Sequence, residues 1–166
     1  NGNPAVLVFP VAGAVGSLSA NKDIKIGTNA PTPYRTVMGE TSEDMMGTSI
    51  ANIGDINADG IPDYLVGAPG NDNGRGNARV IDGSTGNVLH THIGGAWGDG
   101  FGTSVAGVGD INRDGKPDYI IGNPHEMMST GTRLGTATVY SGANYEEIFT
   151  VHGDEGMAKF GYAVAG

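Results

Sequence analysis

An all-β chain built from repeated four-stranded antiparallel units is what the sequence predicts, and three observations predict it. First, a stretch recurs without gaps: Met38–Ala51 aligns to Ile93–Ala106, and a third start follows at His152–Ala165. The starts are spaced by 55 residues (38 to 93) and 59 residues (93 to 152). Second, each unit carries short, partly β-branched apolar runs closed by Gly and Pro, such as Tyr64-Leu65-Val66-Gly67-Ala68-Pro69 and Tyr119-Ile120-Ile121-Gly122-Asn123-Pro124. That pattern marks a buried strand. Third, 30 Gly and 38% hydrophobic residues describe a turn-rich chain that still has apolar strands enough for a core. Four short antiparallel strands in a unit of this length describe a propeller blade.

The strands follow in order. In the first full unit they are expected at roughly 48–53, 62–67, 77–82 and 87–92, and in the second at 103–108, 118–122, 135–140 and 146–151. The last two of each unit are joined by a turn sequence, Asp82-Gly83-Ser84-Thr85-Gly86 or Ser141-Gly142-Ala143-Asn144, as a hairpin demands. The expected organisation is a preceding blade's end with a long inserted loop over 1–37, blades over 38–92 and 93–151, and a truncated third start over 152–166. Ala5-Val6-Leu7-Val8-Phe9 matches the third strand Ala78–Asp82. Val8 lies 38 positions before Met46, against 21 between Val80 and Phe101, so about 17 extra residues are expected within Ala12–Tyr34. A long surface hairpin is the simplest form for them.

Between the first and second strands of each unit lies a nine-residue loop reading D-x-N-x-D-G-x-P-D. The copies are Asp55-Ile56-Asn57-Ala58-Asp59-Gly60-Ile61-Pro62-Asp63 and Asp110-Ile111-Asn112-Arg113-Asp114-Gly115-Lys116-Pro117-Asp118. Side chains at positions 1, 3, 5 and 9 can surround one hard cation, with the position 7 carbonyl as a further ligand and Gly at position 6 for the sharp turn. Such oxygen-only coordination is what Ca²⁺ prefers. Three carboxylates so close would repel one another without a cation. Two Ca²⁺ sites are therefore expected: Asp55, Asn57, Asp59, Ile61 (carbonyl) and Asp63, and Asp110, Asn112, Asp114, Lys116 (carbonyl) and Asp118. An EF-hand begins similarly but needs a bidentate Glu at position 12 and a helix leaving the loop. Position 12 is Val66 or Ile121, inside a predicted strand.

Phe101-Gly102 opening a strand, the acidic loop, and Gly67-Ala68-Pro69 closing the next strand together resemble the FG-GAP repeat of integrin α-subunit propellers and many bacterial secreted proteins. The resemblance covers residues 38–166, with Met46-Gly47 in place of Phe-Gly and Gly122-Asn123-Pro124 in place of Gly-Ala-Pro. It implies a partial β-propeller of four-stranded antiparallel blades with calcium loops. It also implies that only the loop residues bind metal, the Phe-Gly and Gly-Ala-Pro residues serving to pack and turn the blade.

Size and charge narrow the function. A propeller needs at least about four blades to close, roughly 220 residues of this repeat, and the chain has 166. The sequence begins at Asn1 and stops at Ala163-Val164-Ala165-Gly166, which matches mid-strand residues of the previous unit. It is therefore expected to be a segment of a longer protein, continuing into a third loop. The absence of Cys leaves no disulfide framework or thiolate chemistry. A net charge of −9 argues against nucleic acid as partner. Six of the acids lie in the two loops, so two Ca²⁺ would bring −9 to −5. No apolar run approaches a membrane span. Loops of this kind suit the millimolar calcium outside cells, so an extracellular, secreted or cell-surface location is expected.

Other polar clusters carry less. His90-Thr91-His92 has zinc-like spacing without a third ligand, and both imidazoles are expected to face solvent. His125-Glu126 is expected in an exposed loop, Trp97 capping the joint between blades, and Met45-Met46 and Met127-Met128 as apolar filler. Asn73-Gly74-Arg75 reads as a turn. No nucleophile–base set, paired-carboxylate geometry or phosphate loop is present, so no enzyme activity is expected. The expected role is a non-enzymatic calcium-binding segment mediating adhesion or assembly, with a protein, a glycan or copies of itself as partner. The alternatives are the accessory propeller of a secreted polysaccharide- or lipid-acting enzyme, or a structural subunit of an extracellular filament or layer.

Overall fold

The computed structural model of the protein describes residues 37–127 and 131–166. They form eight strands: β1 (Ser49–Gly54), β2 (Asp63–Ala68), β3 (Asn77–Ile81), β4 (Val88–Ile93), β5 (Ser104–Gly109), β6 (Asp118–Asn123), β7 (Thr136–Tyr140) and β8 (Glu147–His152). Each expected strand is present, most of them displaced by about one residue. The strands make two four-stranded antiparallel meanders, β1-β2-β3-β4 and β5-β6-β7-β8, the arrangement that two neighbouring propeller blades would have. The register repeats: Ala51 pairs with Leu65 and Ala106 with Ile120. In both sheets the pairing shifts at the end of the first strand, between Asn52 and Gly54 and between Gly107 and Gly109. The bulge turns the chain out of the sheet where each acidic loop begins.

Alternation decides which side chains meet. β2 is buried on both faces, as its unbroken apolar run requires. Leu65, Ala78 and Val80 of the first sheet pack with Val105, Tyr119 and Ile121 of the second, joined by Ile53, Ile56 and Phe101. Tyr64, Val66, Ala68 and Ile81 form the other face with Val37 and Met46. The face of the second sheet equivalent to that of Ala78 and Val80 carries Phe149 and Val151, both exposed.

The Phe-Gly and Gly-Ala-Pro residues meet at the joint between sheets. Gly102 donates its N–H to the Gly122 carbonyl of its own sheet at 3.0 Å. Its own carbonyl accepts the Ser49 hydroxyl of the preceding sheet at 2.8 Å. A Cβ on Gly67 would stand 1.9 Å from that carbonyl oxygen, so no larger residue fits. The contact recurs one unit on: Ser104 donates to the Gly161 carbonyl at 2.7 Å, and a Cβ on Gly122 would stand 1.9 Å from it. The third start thus seats on the second sheet as the second seats on the first.

The segment leading into each sheet is held by a buried carboxylate. Asp44 accepts the Glu40 and Thr41 N–H groups and the Thr41 hydroxyl, capping the short 3₁₀ turn Ser42–Asp44. Asp99 takes the same place one unit on and accepts the Ala96 N–H. Trp97, expected to cap this joint, is instead 71% exposed. Asp99 and Phe101, both buried, anchor the segment just after it, so the indole is not needed there. Residues 71–74 form a tight turn with Asp72 and Asn73 at positive φ. Arg75 beyond it donates Nε–H to the Gly94 carbonyl at 2.6 Å. The strand and inserted loop expected within 1–36, and Met128, lie outside the described residues. Among the described residues no helix is long and apolar enough to cross a membrane.

Candidate functional site

The two acidic loops repeat each other's hydrogen bonds from backbone N–H groups to side chains. Asp55 accepts the N–H groups of Asp59 (3.1 Å) and Gly60 (2.8 Å), and Asp110 those of Asp114 (3.1 Å) and Gly115 (2.9 Å). Asn57 and Asn112 each accept the N–H two residues on at 3.0 Å. Asp59 accepts from the Ile61 N–H at 2.8 Å and Asp114 from the Lys116 N–H at 2.9 Å. Side chains at positions 1, 3 and 5 thus each fold onto the backbone ahead, the local bonding that makes Asn and Asp turn formers. The curl requires positive φ at position 4 (Ala58 64°, Arg113 62°) and at position 6 (Gly60 87°, Gly115 89°). Gly supplies the second at no steric cost.

Position 9 behaves differently. Asp63 and Asp118 are fully buried at the start of β2 and β6. Each accepts two N–H groups from its loop's beginning, Ile56 (3.0 Å) and Asn57 for Asp63, Ile111 (2.8 Å) and Asn112 for Asp118. The other oxygen of each accepts a turn glycine from the far side of the sheet, Gly83 at 3.0 Å or Gly142 at 3.1 Å. A Cβ at either glycine would stand 1.9 Å from the Pro62 or Pro117 carbonyl. Burial raises the Asp63 carboxyl above its ordinary range despite these donors. Asp59 and Asp114 are held below it, Asp59 chiefly by the Ser84 hydroxyl and Asp114 chiefly by Asn112, each helped by the N–H at position 7.

That β3–β4 and β7–β8 turn is the part of the site that sequence reasoning left as a plain hairpin. Ser84 and Asp82 stand beside the first loop, and Ser141 donates to Asp114 at 3.0 Å in the second. The recurrence of a Gly-containing turn after the same strand in both units was the available signal. Asp82 is lowered overall: burial, its largest single influence, pushes it up, and hydrogen bonds from Thr85 and Ser84 outweigh that.

The fit of these loops to a hard cation lies in their donor chemistry. Every side-chain ligand candidate offers oxygen, and five acceptor groups occur within nine residues. Asp63 is a buried carboxylate in no ion pair among the described residues, where the pairs are Arg75–Asp72 and Arg79–Glu40. A carboxylate so placed gains from a neighbouring positive charge. Among the described residues, however, no three acidic or imidazole side chains converge as metal ligands. The carboxylates rest on peptide N–H groups instead.

The remaining candidates have structural partners. His90 and His92 do share a face, but neither is the solvent-facing residue expected. His92 is 8% exposed and bonded to Tyr119, and His90 stacks on Tyr145 with ring centroids 4.4 Å apart. The second sheet packs over β4 and covers them, which a reading of one strand could not show. His125 and Glu126 are half-buried rather than exposed. The His125 N–H donates to the Asp99 carbonyl at 3.0 Å, and Glu126 accepts from Asn123 at 3.0 Å and from Thr136. Met46 is buried filler as expected, whereas Met45 and Met127 are exposed.

Comparison with known proteins places these features. The FG-GAP repeat family matches residues 101–140, from the Phe-Gly dipeptide through the second acidic loop to β7. Human integrin alpha-6 is 39% identical over 94 residues, covering 54% of this chain and 8% of the integrin. Integrin alpha-5 of Xenopus laevis is 34% identical over 100 residues, 55% of this chain and 10% of the relative. Human integrin alpha-7 is 30% identical over 146 residues, 81% of this chain and 12% of the relative. The chain spans about a tenth of these relatives' length. It carries the FG-GAP repeat and is homologous, across its repeats, to integrin α subunits.

Proposed function

We propose that each acidic loop binds one Ca²⁺ and that the chain is a non-enzymatic, calcium-stabilised propeller segment of an extracellular or cell-surface protein serving adhesion or assembly. Asp55, Asn57, Asp59 and Asp63 hold the first ion with the Ile61 carbonyl. Asp110, Asn112, Asp114 and Asp118 hold the second with the Lys116 carbonyl. The observation that carries this reading is the repeated backbone-to-side-chain bonding of two oxygen-rich loops at equivalent places in two sheets. The ion supplies charge neutralisation and fixes the loop between the first two strands of each blade. Residues 38–92 and 93–151 are the two blades in this reading, and 152–166 opens a third. The integrin relatives support a surface role with a protein or glycan partner. The exposed Phe149 and Val151 on the outward face of the second sheet support packing of a further blade or a neighbouring copy.

Diffraction from crystals grown in millimolar calcium tests the site. Density for one ion per loop, with oxygen ligands at about 2.3–2.6 Å, is the expected result. Carboxylates still resting on their peptide N–H groups, with no ion, would overturn the reading.

A further inference from the structure

We propose that Lys116 couples the two loops, so that an ion held in the second raises the affinity of the first. The inference rests on the calcium reading above and adds a role for a side chain outside the ligand set. Lys116 occupies position 7 of the second loop, where its backbone carbonyl is the ligand. Its ammonium crosses to the neighbouring sheet and donates to the Ile56 carbonyl at 2.7 Å. Ile56 is position 2 of the first loop, and its own N–H donates to Asp63, the position 9 carboxylate, at 3.0 Å. One residue of the first loop is thus gripped by the second loop at one peptide group and by a metal-binding carboxylate at the other.

Two further contacts bear on the same place. Pro117 closes against Gly54, where an added Cβ would stand 2.8 Å from the proline Cγ. The Ile56 side chain is 4% exposed, and its Cγ2 would lie 3.0 Å from a Cβ on Gly142. Gly142 in turn donates to Asp118 at 3.1 Å. Positions 7 and 8 of the second loop therefore reach Ile56 and Gly54 at the entry to the first, and position 9 holds the turn glycine that lies beside Ile56. Position 7 of the first loop is Ile61, which has no ammonium to extend in the other direction.

The physical cause is ordering. A loop that closes round an ion gives up conformational freedom, and a first ligand that has already fixed part of it lowers what the second must give up. Ligation through the Lys116 carbonyl fixes the backbone from which the ammonium reaches, and so fixes Ile56. Repulsion between the positive charges works against this, but the loops are largely exposed and salt screens them.

Calcium titration of the full chain, followed by the amide resonances of Gly60 and Gly115, reads the two sites separately. Asp110→Ala empties the second loop without touching Lys116. It should weaken the first site roughly fivefold, at the low end of measured couplings. In a Lys116→Met background, which keeps the carbonyl ligand and the apolar stem, Asp110→Ala should leave the first site unchanged within about twofold. Lys116→Arg, retaining a cationic donor, should restore the dependence and shows that loss in the Met variant is not misfolding. An equal effect of Asp110→Ala in the Lys and Met backgrounds, or none in either, overturns the coupling while leaving the sites in place. Failure of both amides to respond to calcium in the unaltered chain overturns the calcium reading, and the coupling with it.

Discussion

The Nε2 atom of His92 lies 2.8 Å from the phenolic oxygen of Tyr119, joining the outer strand of one sheet to the second strand of the next. The imidazole also tilts over Tyr140 with ring centroids 4.1 Å apart and meets His90 edge-on at 4.5 Å. Burial pulls His92 down to about 3, and His90 beside it adds to the shift. Burial raises the Tyr119 phenol and pushes Tyr140 up to about 12. The contact between sheets is therefore a neutral hydrogen bond in an aromatic cluster across the whole physiological range.

That neutrality makes folding pH-dependent. The unfolded imidazole, near 6.5, takes a proton well before the folded one. The stabilisation is complete above about pH 6.5 and is lost as pH falls from there toward 3. At about 1.4 kcal/mol per pH unit, the loss from this group at pH 5 is about 2 kcal/mol. Urea unfolding in chelator should show the unaltered chain losing about that much more than His92→Gln between pH 7 and pH 5. Equal losses would contradict the account.

Removing the other partner isolates the hydrogen bond. Tyr119→Phe keeps the ring among Leu65, Val80 and Ile121 but leaves His92 without its buried partner. The expected cost is about 1–3 kcal/mol in urea unfolding. A change below about 0.5 kcal/mol, the range of ordinary surface substitutions, would mean that the bond does not hold the sheets together.

Gly67→Ala and Gly122→Ala test the joint at the ends of β2 and β6. Each added methyl would meet a backbone carbonyl 1.9 Å away, and backbone cannot swing aside as a side chain can. Each should cost at least the roughly 1–3 kcal/mol of an overpacked core. Gly60→Ala meets nothing within 4 Å and carries only the strain of its φ of 87°, about 1–2 kcal/mol. Thermal unfolding in chelator ranks the three, and Gly60→Ala as the worst would refute the packing argument.

The strands and both loops were legible because each rests on local chemistry: a β-branched run closed by Gly and Pro, and Asp and Asn residues spaced two apart ahead of a required glycine. The gap-free repeat then fixed which strands correspond. What could not be read was contact between units. His92 looked like a solvent-facing residue because its cover, Tyr119 and Tyr140, belongs to the next sheet. Trp97 looked like a cap because large aromatics usually need burial, yet Asp99 and Phe101 already anchor that segment. The Lys116–Ile56 bond spans 60 residues, and nothing in either loop alone announces it. The turn glycines that hold Asp63 and Asp118 lie in the same unit, 20 and 24 residues on, and their recurrence after the same strand was the only sign of them.

Asp59→Ala should separate metal-linked stability from intrinsic stability. An ion bound at about 10⁻⁴–10⁻³ M stabilises the fold by roughly 0.6–1.8 kcal/mol per site in about 2 mM calcium. The variant should lose that increment for the first loop, lowering thermal stability in calcium and changing it much less in chelator. A loss of equal size in both conditions would make Asp59 a turn-forming residue and no more.

Calorimetric titration of the chain with Ca²⁺ addresses the central claim most directly. Two ions should bind the unaltered protein, one should bind Asp59→Ala or Asp114→Ala, and none the double variant. Absence of binding up to several millimolar calcium, or a stoichiometry indifferent to both substitutions, would contradict it.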